Sequence, residues 1–272
     1  MGAEVLLLHH EAEVRLLCFG GILGLMMWWE HNARLRPTSQ PRIRRWVENL
    51  GMGVVDTLVL RLLLPVLAVG VALVSAEQGW GLLHYLAWPY AVELAWSLLI
   101  LDLAIYLQHV AMHKVPLLWR LHRVHHSDLD LDTTTALRFH PLEIVLSMLF
   151  KMLLVVTFGI PAAAVIAFEV ILNATALFNH GNVSLPAPLE RLIRLFVVTP
   201  DMHRVHHSWY REETDSNFGF NLTLWDRLFH TYRAQPRDGH LGMTIGLHTL
   251  RERRWLSLHW LLLQPFLEGD AD

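Results

Sequence analysis

The chain has 272 residues, 53% of them hydrophobic and only 17% charged, so a chain of this length points to a lipid environment. Its net charge of −3 gives no global basic field, which argues against a nucleic-acid partner. A single cysteine, Cys18, excludes an internal disulfide, a CxxC zinc knuckle and a cysteine-ligated iron–sulfur cluster.

The first apolar run, about 14–29 (VRLLCFGGILGLMMWW), ends in Trp28 and Trp29, which suit the headgroup level of a bilayer. It has no positive leader or A-x-A cleavage site, so a retained membrane helix is expected. Residues 34–45 (RLRPTSQPRIRR) carry five arginines and no acid, the mark of a cytoplasmic loop. Further apolar runs at about 52–76 and 88–108 each reach the roughly 20 residues that cross about 30 Å of hydrocarbon. The next stretch, 142–179, is too long for one crossing and is interrupted by Gly159 and Pro161, so two helices in a hairpin are expected.

Counting crossings from the arginine loop returns both 109–140 and 180–272 to the cytoplasmic face. The expected fold is all-α and multi-pass. It has about four membrane segments plus a hairpin return, with a cytoplasmic helical cap. Three regions follow: N-terminal membrane helices over 1–100, a histidine-bearing domain over 101–235 that includes the hairpin 142–179, and a C-terminal tail over 236–272. Within that tail, 253–266 (RRWLSLHWLLLQPF) reads as amphipathic or interfacial.

Histidine is the compositional anomaly, with 18 residues against 22 Lys plus Arg. The chain spells LHRVHHS at 121–127 and MHRVHHS at 202–208. His122, His125 and His126 thus match His203, His206 and His207, and on a helix the three of each word project to one side. His109 and His113 stand four apart at the end of the third run, again on one helix face. Neutral imidazole is the commonest protein metal ligand and suits Zn, Cu, Fe and Ni. Eight histidines exceed what one ion needs, so the arithmetic favours two metals. His140, before Pro141 at the hairpin's entry, and His180, at its exit, join as further candidate ligands. Isolated histidines are usually surface or satisfied core residues, which is the reading for His9, His10, His31, His84, His230, His240, His248 and His259.

Absent motifs narrow the chemistry. There is no HExxH, no ExxH pair, no GxSxG, no Walker A and no GxGxxG, so a zincin, a ferritin-like carboxylate site and a nucleotide site are all disfavoured. Reducing equivalents would then come from another protein.

The order HxxxH, HxxHH, HxxHH, with an apolar hairpin between the two HxxHH words, resembles the fatty acid hydroxylase/sterol desaturase superfamily of membrane non-haem di-iron oxygenases. The surrounding text is also similar, in HRVHHSDLDLDTTTALRFHPLE at 122–143 and TPDMHRVHHSWYREETDSNFGFNLTLWDRLFHTYR at 199–233. The resemblance covers about 100–235 and makes 101–235 a fatty acid hydroxylase-like di-iron domain. It implies that His109, His113, His122, His125, His126, His203, His206 and His207 ligate two irons, with His180 and His140 matching further family histidines. It also implies O2 activation and hydroxylation, or desaturation, of a lipid C–H bond. The substrate would be a sterol, a fatty acyl chain, an ether lipid or a carotenoid. Electrons would come from a cytochrome b5-like protein, a ferredoxin or a reductase, and zinc could substitute for iron in purified protein. The text reads as bacterial, which places the chain in an inner (cell) membrane with a cytoplasmic active site.

Metal-bound histidines usually give their second N–H to a carboxylate or carbonyl. Candidates near the words are Asp128, Asp130, Asp132, Asn179, Asp215, Asn217 and Asp226. Asp102 and Asp201 stand first, as candidate catalytic residues that orient ligands. Glu169, inside the hairpin, is an intramembrane acid and so a functional candidate. The rival class is a divalent metal transporter or metal-binding membrane protein. Transport needs ligands at mid-membrane, whereas the histidines cluster outside the apolar runs, and Asp56, Arg61, Glu93, Asp102 and Glu169 lie within those runs or at their edges. A zinc lipid hydrolase ranks third, because nothing marks its general base.

Overall fold

The computed structural model describes residues 2–86 and 88–267. Eight helices lead: α1 (Gly2–His9), α2 (Glu11–Ala33), α3 (Arg42–Leu63), α4 (Ala68–Gln78), α5 (Tyr90–Lys114), α6 (Pro116–His126), α7 (Pro141–Phe158) and α8 (Ala162–Asn179). Six shorter ones follow: α9 (Ala187–Ile193), α10 (Pro200–His206), α11 (Arg211–Thr214), α12 (Leu224–Leu228), α13 (Gly239–Gly242) and α14 (Leu258–Leu263). No strand occurs among the described residues; two isolated bridges join Val197 to Leu222 and Ser208 to Ile245.

Among the described residues, five segments are long and apolar enough to cross a membrane: Glu11–Ala33, Arg42–Tyr85, Tyr90–Lys114, Pro141–Phe158 and Ala162–Asn179. The fold is a multi-pass helical membrane architecture. Leu16, Leu17 and Leu25 on α2 lie exposed, as do Leu62 on α3 and Leu153 on α7, which suits helices wetted by lipid rather than water.

The run expected as one span at 52–76 is two helices. α3 ends at Leu63 and α4 starts at Ala68, with Pro65 between them. Proline has no N–H to donate, and its ring clashes with the carbonyl four residues back, so the helix stops there. The hairpin forms as two helices. Gly159 closes α7 in the left-handed region (φ 72°), and α8 begins after Pro161. Gly81 (φ 106°) approaches the Gly159 backbone so closely that a Cβ could not fit. Ala68, Ala72, Val155, Ile160, Val165 and Phe168 form the buried core of α4, α7 and α8 around this tip.

Glu30, buried near the end of α2, accepts the backbone N–H of Thr133 and of Asn182, each at 2.8 Å. One side chain therefore ties the segments before and after the hairpin. Glu169 bonds Lys151 at 2.5 Å across the hairpin and pairs with Arg15 of α2, which neutralises it inside the bundle. The tail folds onto the domain as α14. Leu261 packs with Met52 of α3 and Val124 of α6, while Arg120 holds the Pro265 carbonyl at 2.7 Å.

Candidate metal centre

Each copy of HRVHH sits on a short helix that starts with proline at its first position, on α6 and α10. Every letter of the word has the same kind of task in both copies. Val124 and Val205 are fully buried in the core. Arg123 reaches the carbonyls of Gln264 and Leu267, and Arg204 reaches the Val183 carbonyl at 2.8 Å and Asp201 at 2.6 Å. The two arginines thus pin each helix to a neighbouring segment, and the histidines remain free to converge.

They converge in two groups. His109, His113, His122, His126 and His206 form one, and His125, His180, His203 and His207 form the other, each with ligand atoms within 4.8 Å of one another. All are at most 3% exposed. The words interlock: His125 of the first word joins the second group, and His206 of the second word joins the first. Helical geometry explains the split. Neighbouring residues point about 100° apart, while positions i and i+4 differ by only about 40°. The first and third histidines of a word therefore stay together, and the middle one, about 60° from the first and about 100° from the third, turns far enough to reach the other group. α5 adds His109 and His113 from its last turns, and the end of α8 adds His180.

Several rings are held by their second nitrogen. His109 Nδ1 donates to the Phe218 carbonyl (2.7 Å), His206 Nδ1 to Ser216 (2.8 Å), His180 Nδ1 to Ala176 (2.7 Å) and His122 Nδ1 to Glu143 Oε1 (2.7 Å). A donor on Nδ1 leaves a bare lone pair on Nε2. Yet His109 Nε2 and His122 Nε2 face each other at 3.1 Å. Two lone pairs at that distance repel unless a cation lies between them. In the second group His180 Nε2 stands 3.1 Å from His125 Nε2 and 3.0 Å from His203 Nε2. Imidazoles bound at about 2.0–2.1 Å to one ion would place neighbouring nitrogens roughly 3 Å apart. Nε2 of His113, His126 and His206 are buried without any hydrogen-bond partner. The donor set therefore fits two metal ions, one per group.

Burial favours the neutral form, which a ligand needs, at six of the clustered histidines. Desolvation, aided by neighbouring histidines, holds His125, His126, His203 and His207 well below the usual histidine range. Burial pushes His180 down to about 4 and His206 to about 3.

His140 is not brought to either group. Its Nδ1 accepts the Leu142 N–H at 3.2 Å as the N-cap of α7, and its Nε2 faces the Leu262 carbonyl at 3.2 Å. Asp102 and Asp201 also touch no clustered histidine. Asp102 accepts the Trp225 indole N–H at 2.7 Å and braces α5 against α12. Asp201 pairs with Arg204 on α10. His9, His10, His31, His84, His230, His240, His248 and His259 lie outside both groups.

The carboxylates that do face the centre are Glu143 and Asp215. The sequence gives no signal for Glu143, because it meets His122 from another helix 21 residues on. Asp215 Oδ1 lies 3.4 Å from His113 Nδ1, an attractive distance without hydrogen-bond geometry. The remaining polar candidates hold backbone. Asp226 accepts the N–H of Phe218 (2.8 Å) and Gly219 (2.9 Å), and so fixes the carbonyl on which His109 rests. Asn217 donates to Met202 and Arg233 carbonyls, and Asn179 to that of Phe220. Asp128 binds Arg45 and Thr135, Asp130 takes Ser39, and Asp132 caps the turn at Thr134.

A cavity of about 320 Å³ adjoins the first group, with His109 and His122 in its wall. α3, α5, α7 and α8 supply most of the rest, through apolar residues such as Leu60, Ile105, Ile144, Met148 and Leu172, with Leu137, Phe139 and Phe220 from the segments between helices. That volume is in the range of ordinary ligand sites, about 300–1,000 Å³.

Fold and site together define a helical membrane protein with two buried histidine groups, each able to hold a metal ion, at the ends of its long helices. The fatty acid hydroxylase family model matches residues 94–231, half of the chain, and the chain belongs to that family. An ornithine lipid hydroxylase of Rhizobium tropici is 30% identical over 180 residues, 66% of this chain and 52% of that protein. The human alkylglycerol monooxygenase is 30% identical over 153 residues, 54% of this chain and 32% of that one. Rat cholesterol 25-hydroxylase is 26% identical over 146 residues, 53% and 48%. The chain thus spans about half or less of the length of these relatives. No solved structure gives a significant match.

Proposed function

We propose that this protein is a membrane-bound, O2-dependent oxygenase that hydroxylates a C–H bond of a lipid. The observation that carries the reading is the cavity that has His109 and His122 in its wall and is lined elsewhere largely by membrane-length helices. The three relatives are named for an ornithine lipid, an alkylglycerol and cholesterol, and all three names describe oxygen insertion. A lipid is therefore the substrate class.

Two irons are the metals proposed, held by the two histidine groups, and their contribution is O2 activation and oxidation of an unactivated C–H bond. The chain's own residues set the conditions. Neutral imidazoles add no negative charge, which keeps bound metal electron-poor. Phe218, Ser216 and Ala176 carbonyls and Glu143 lock the rings so that their lone pairs point inward. Leu60, Ile144, Met148 and Leu172 present an apolar wall that excludes water and receives hydrocarbon.

We further infer a separate electron-donor protein, a cytoplasmic-facing centre and a bacterial inner-membrane location, with the arginine loop at 34–45 setting the orientation. No observation favours the metal transporter: the ligands are enclosed in two buried sets at helix ends. The test is turnover under 18O2 with iron-loaded protein, a chemical reductant and extracted bacterial lipids. The expected product carries one 18O atom and is absent with His122→Ala. Product oxygen drawn from water, or equal product in the variant, refutes the oxygenase.

A further inference from the structure

Two carboxylates share the cavity wall with His109 and His122: Asp56 from α3 and Glu143 from α7. Both are more than nine-tenths buried, at 7% and 4% exposure. Asp56 Oδ1 and Glu143 Oε2 each lie buried without a hydrogen-bond donor. Glu143 Oε1 is already taken by His122, so its second oxygen is the one left for a ligand. Gln108 Oε1, in the same wall, is also unpartnered, while its amide nitrogen is spent on Ser147.

Two of the nearby donors already have protein partners. Lys151 lines the cavity, but its ammonium pairs with Glu169 at 2.5 Å. Thr57 gives its hydroxyl proton to the Gly53 carbonyl at 2.8 Å. The buried polar atoms of this wall that lack a partner, Asp56 Oδ1, Glu143 Oε2 and Gln108 Oε1, are all acceptors. A buried acceptor with no donor is destabilising, and the imbalance is relieved by a ligand that brings the donor.

We propose that this cavity selects lipids whose polar part carries O–H or N–H donors, and that Asp56 is the specificity-determining residue. A hydroxyl, amide N–H or ammonium would sit between Asp56 and the free oxygen of Glu143. The adjoining hydrocarbon would lie along Leu60, Ile144 and Met148, beside His109 and His122. A lipid whose polar part only accepts, such as a methyl ether, leaves the same oxygens unpaired and is discriminated against. The inference deepens the oxygenase reading by naming its substrate class, yet the binding preference itself needs no turnover.

The experiment is equilibrium competition against tritiated hexadecan-1-ol on detergent-purified, metal-loaded full-length protein. The competitors are hexadecylamine, unlabelled hexadecan-1-ol and hexadecyl methyl ether, which share one chain. Wild type is expected to bind the amine and the alcohol at least about tenfold more tightly than the methyl ether. Asp56→Leu should bring the three within about twofold, and the near-isosteric Asp56→Asn should lose most of the amine's advantage. Taking ratios within each protein cancels micelle partitioning. Equal binding of the three probes to wild type, or an unchanged ratio in both variants, overturns the proposal. Oxidation of all chains without preference would sink this inference and leave the oxygenase standing. Selective binding without any oxidation would do the reverse.

Discussion

Glu143→Gln isolates a carboxylate hydrogen-bonded to a clustered histidine. Glu143 is 4% exposed, and its Oε1 accepts from His122 Nδ1 at 2.7 Å. Glutamine keeps the length and an acceptor oxygen but removes the charge. A hydrogen bond to a charged group is worth about 1.5–3 kcal/mol and a neutral one about 0.5–1.5. The difference, about 1–1.5 kcal/mol, corresponds to about tenfold in an equilibrium constant. Metal affinity at the first group should therefore fall about tenfold, at the low end of the 10–100-fold typical for such partners. The second group, held by His180 on the Ala176 carbonyl, should be unaffected. Titration of metal-loaded protein with a chelator, read by elemental analysis, should show one metal leaving earlier in the variant and the other unchanged. Equal weakening of both metals, or no weakening at all, would refute the assignment of Glu143 to the first group alone.

Other substitutions test the supports. His140→Ala should lower stability by about 0.5–2 kcal/mol through loss of a helix cap and leave metal content intact, as thermal unfolding and elemental analysis would show. Asp226→Ala strands the buried N–H groups of Phe218 and Gly219, at about 1–3 kcal/mol each, and should lower the unfolding midpoint in detergent. Glu169→Leu leaves Lys151 and Arg15 without their shared anion and should destabilise by about 3–5 kcal/mol. Adding Lys151→Met should restore part of that loss, and a double variant no more stable than Glu169→Leu would deny the pairing.

Much of the architecture was legible because the bilayer imposes it. Apolar length marks spans, and Gly159 with Pro161 divides the hairpin into two helices. The two HRVHH words and His109, His113 and His180 could be singled out because imidazoles at helical spacing have few structural uses. Pro65 was available to read, yet the run at 52–76 looked continuous in hydropathy alone. What stayed hidden was tertiary. The exchange of His125 and His206 between the groups follows from helix phase, but only once α6 and α10 are known to face each other. His140 resembles a ligand by position, and its side chain is spent on the Leu142 N–H. Asp102 shares a helix face with His109, but Trp225, distant in sequence, claims it. Glu143 meets His122 through packing that no spacing encodes.

Metal stoichiometry tests the central claim most directly. Detergent-purified wild type, His206→Ala and His203→Ala would be loaded with iron and measured by elemental analysis. Two enclosed groups require two metals per chain in wild type. His206→Ala should weaken only the metal of the His109 group, and His203→Ala only that of the His180 group, with membrane insertion unchanged in both. One metal per chain, or metal content indifferent to both substitutions, would contradict the two-metal centre and the oxygenase built on it.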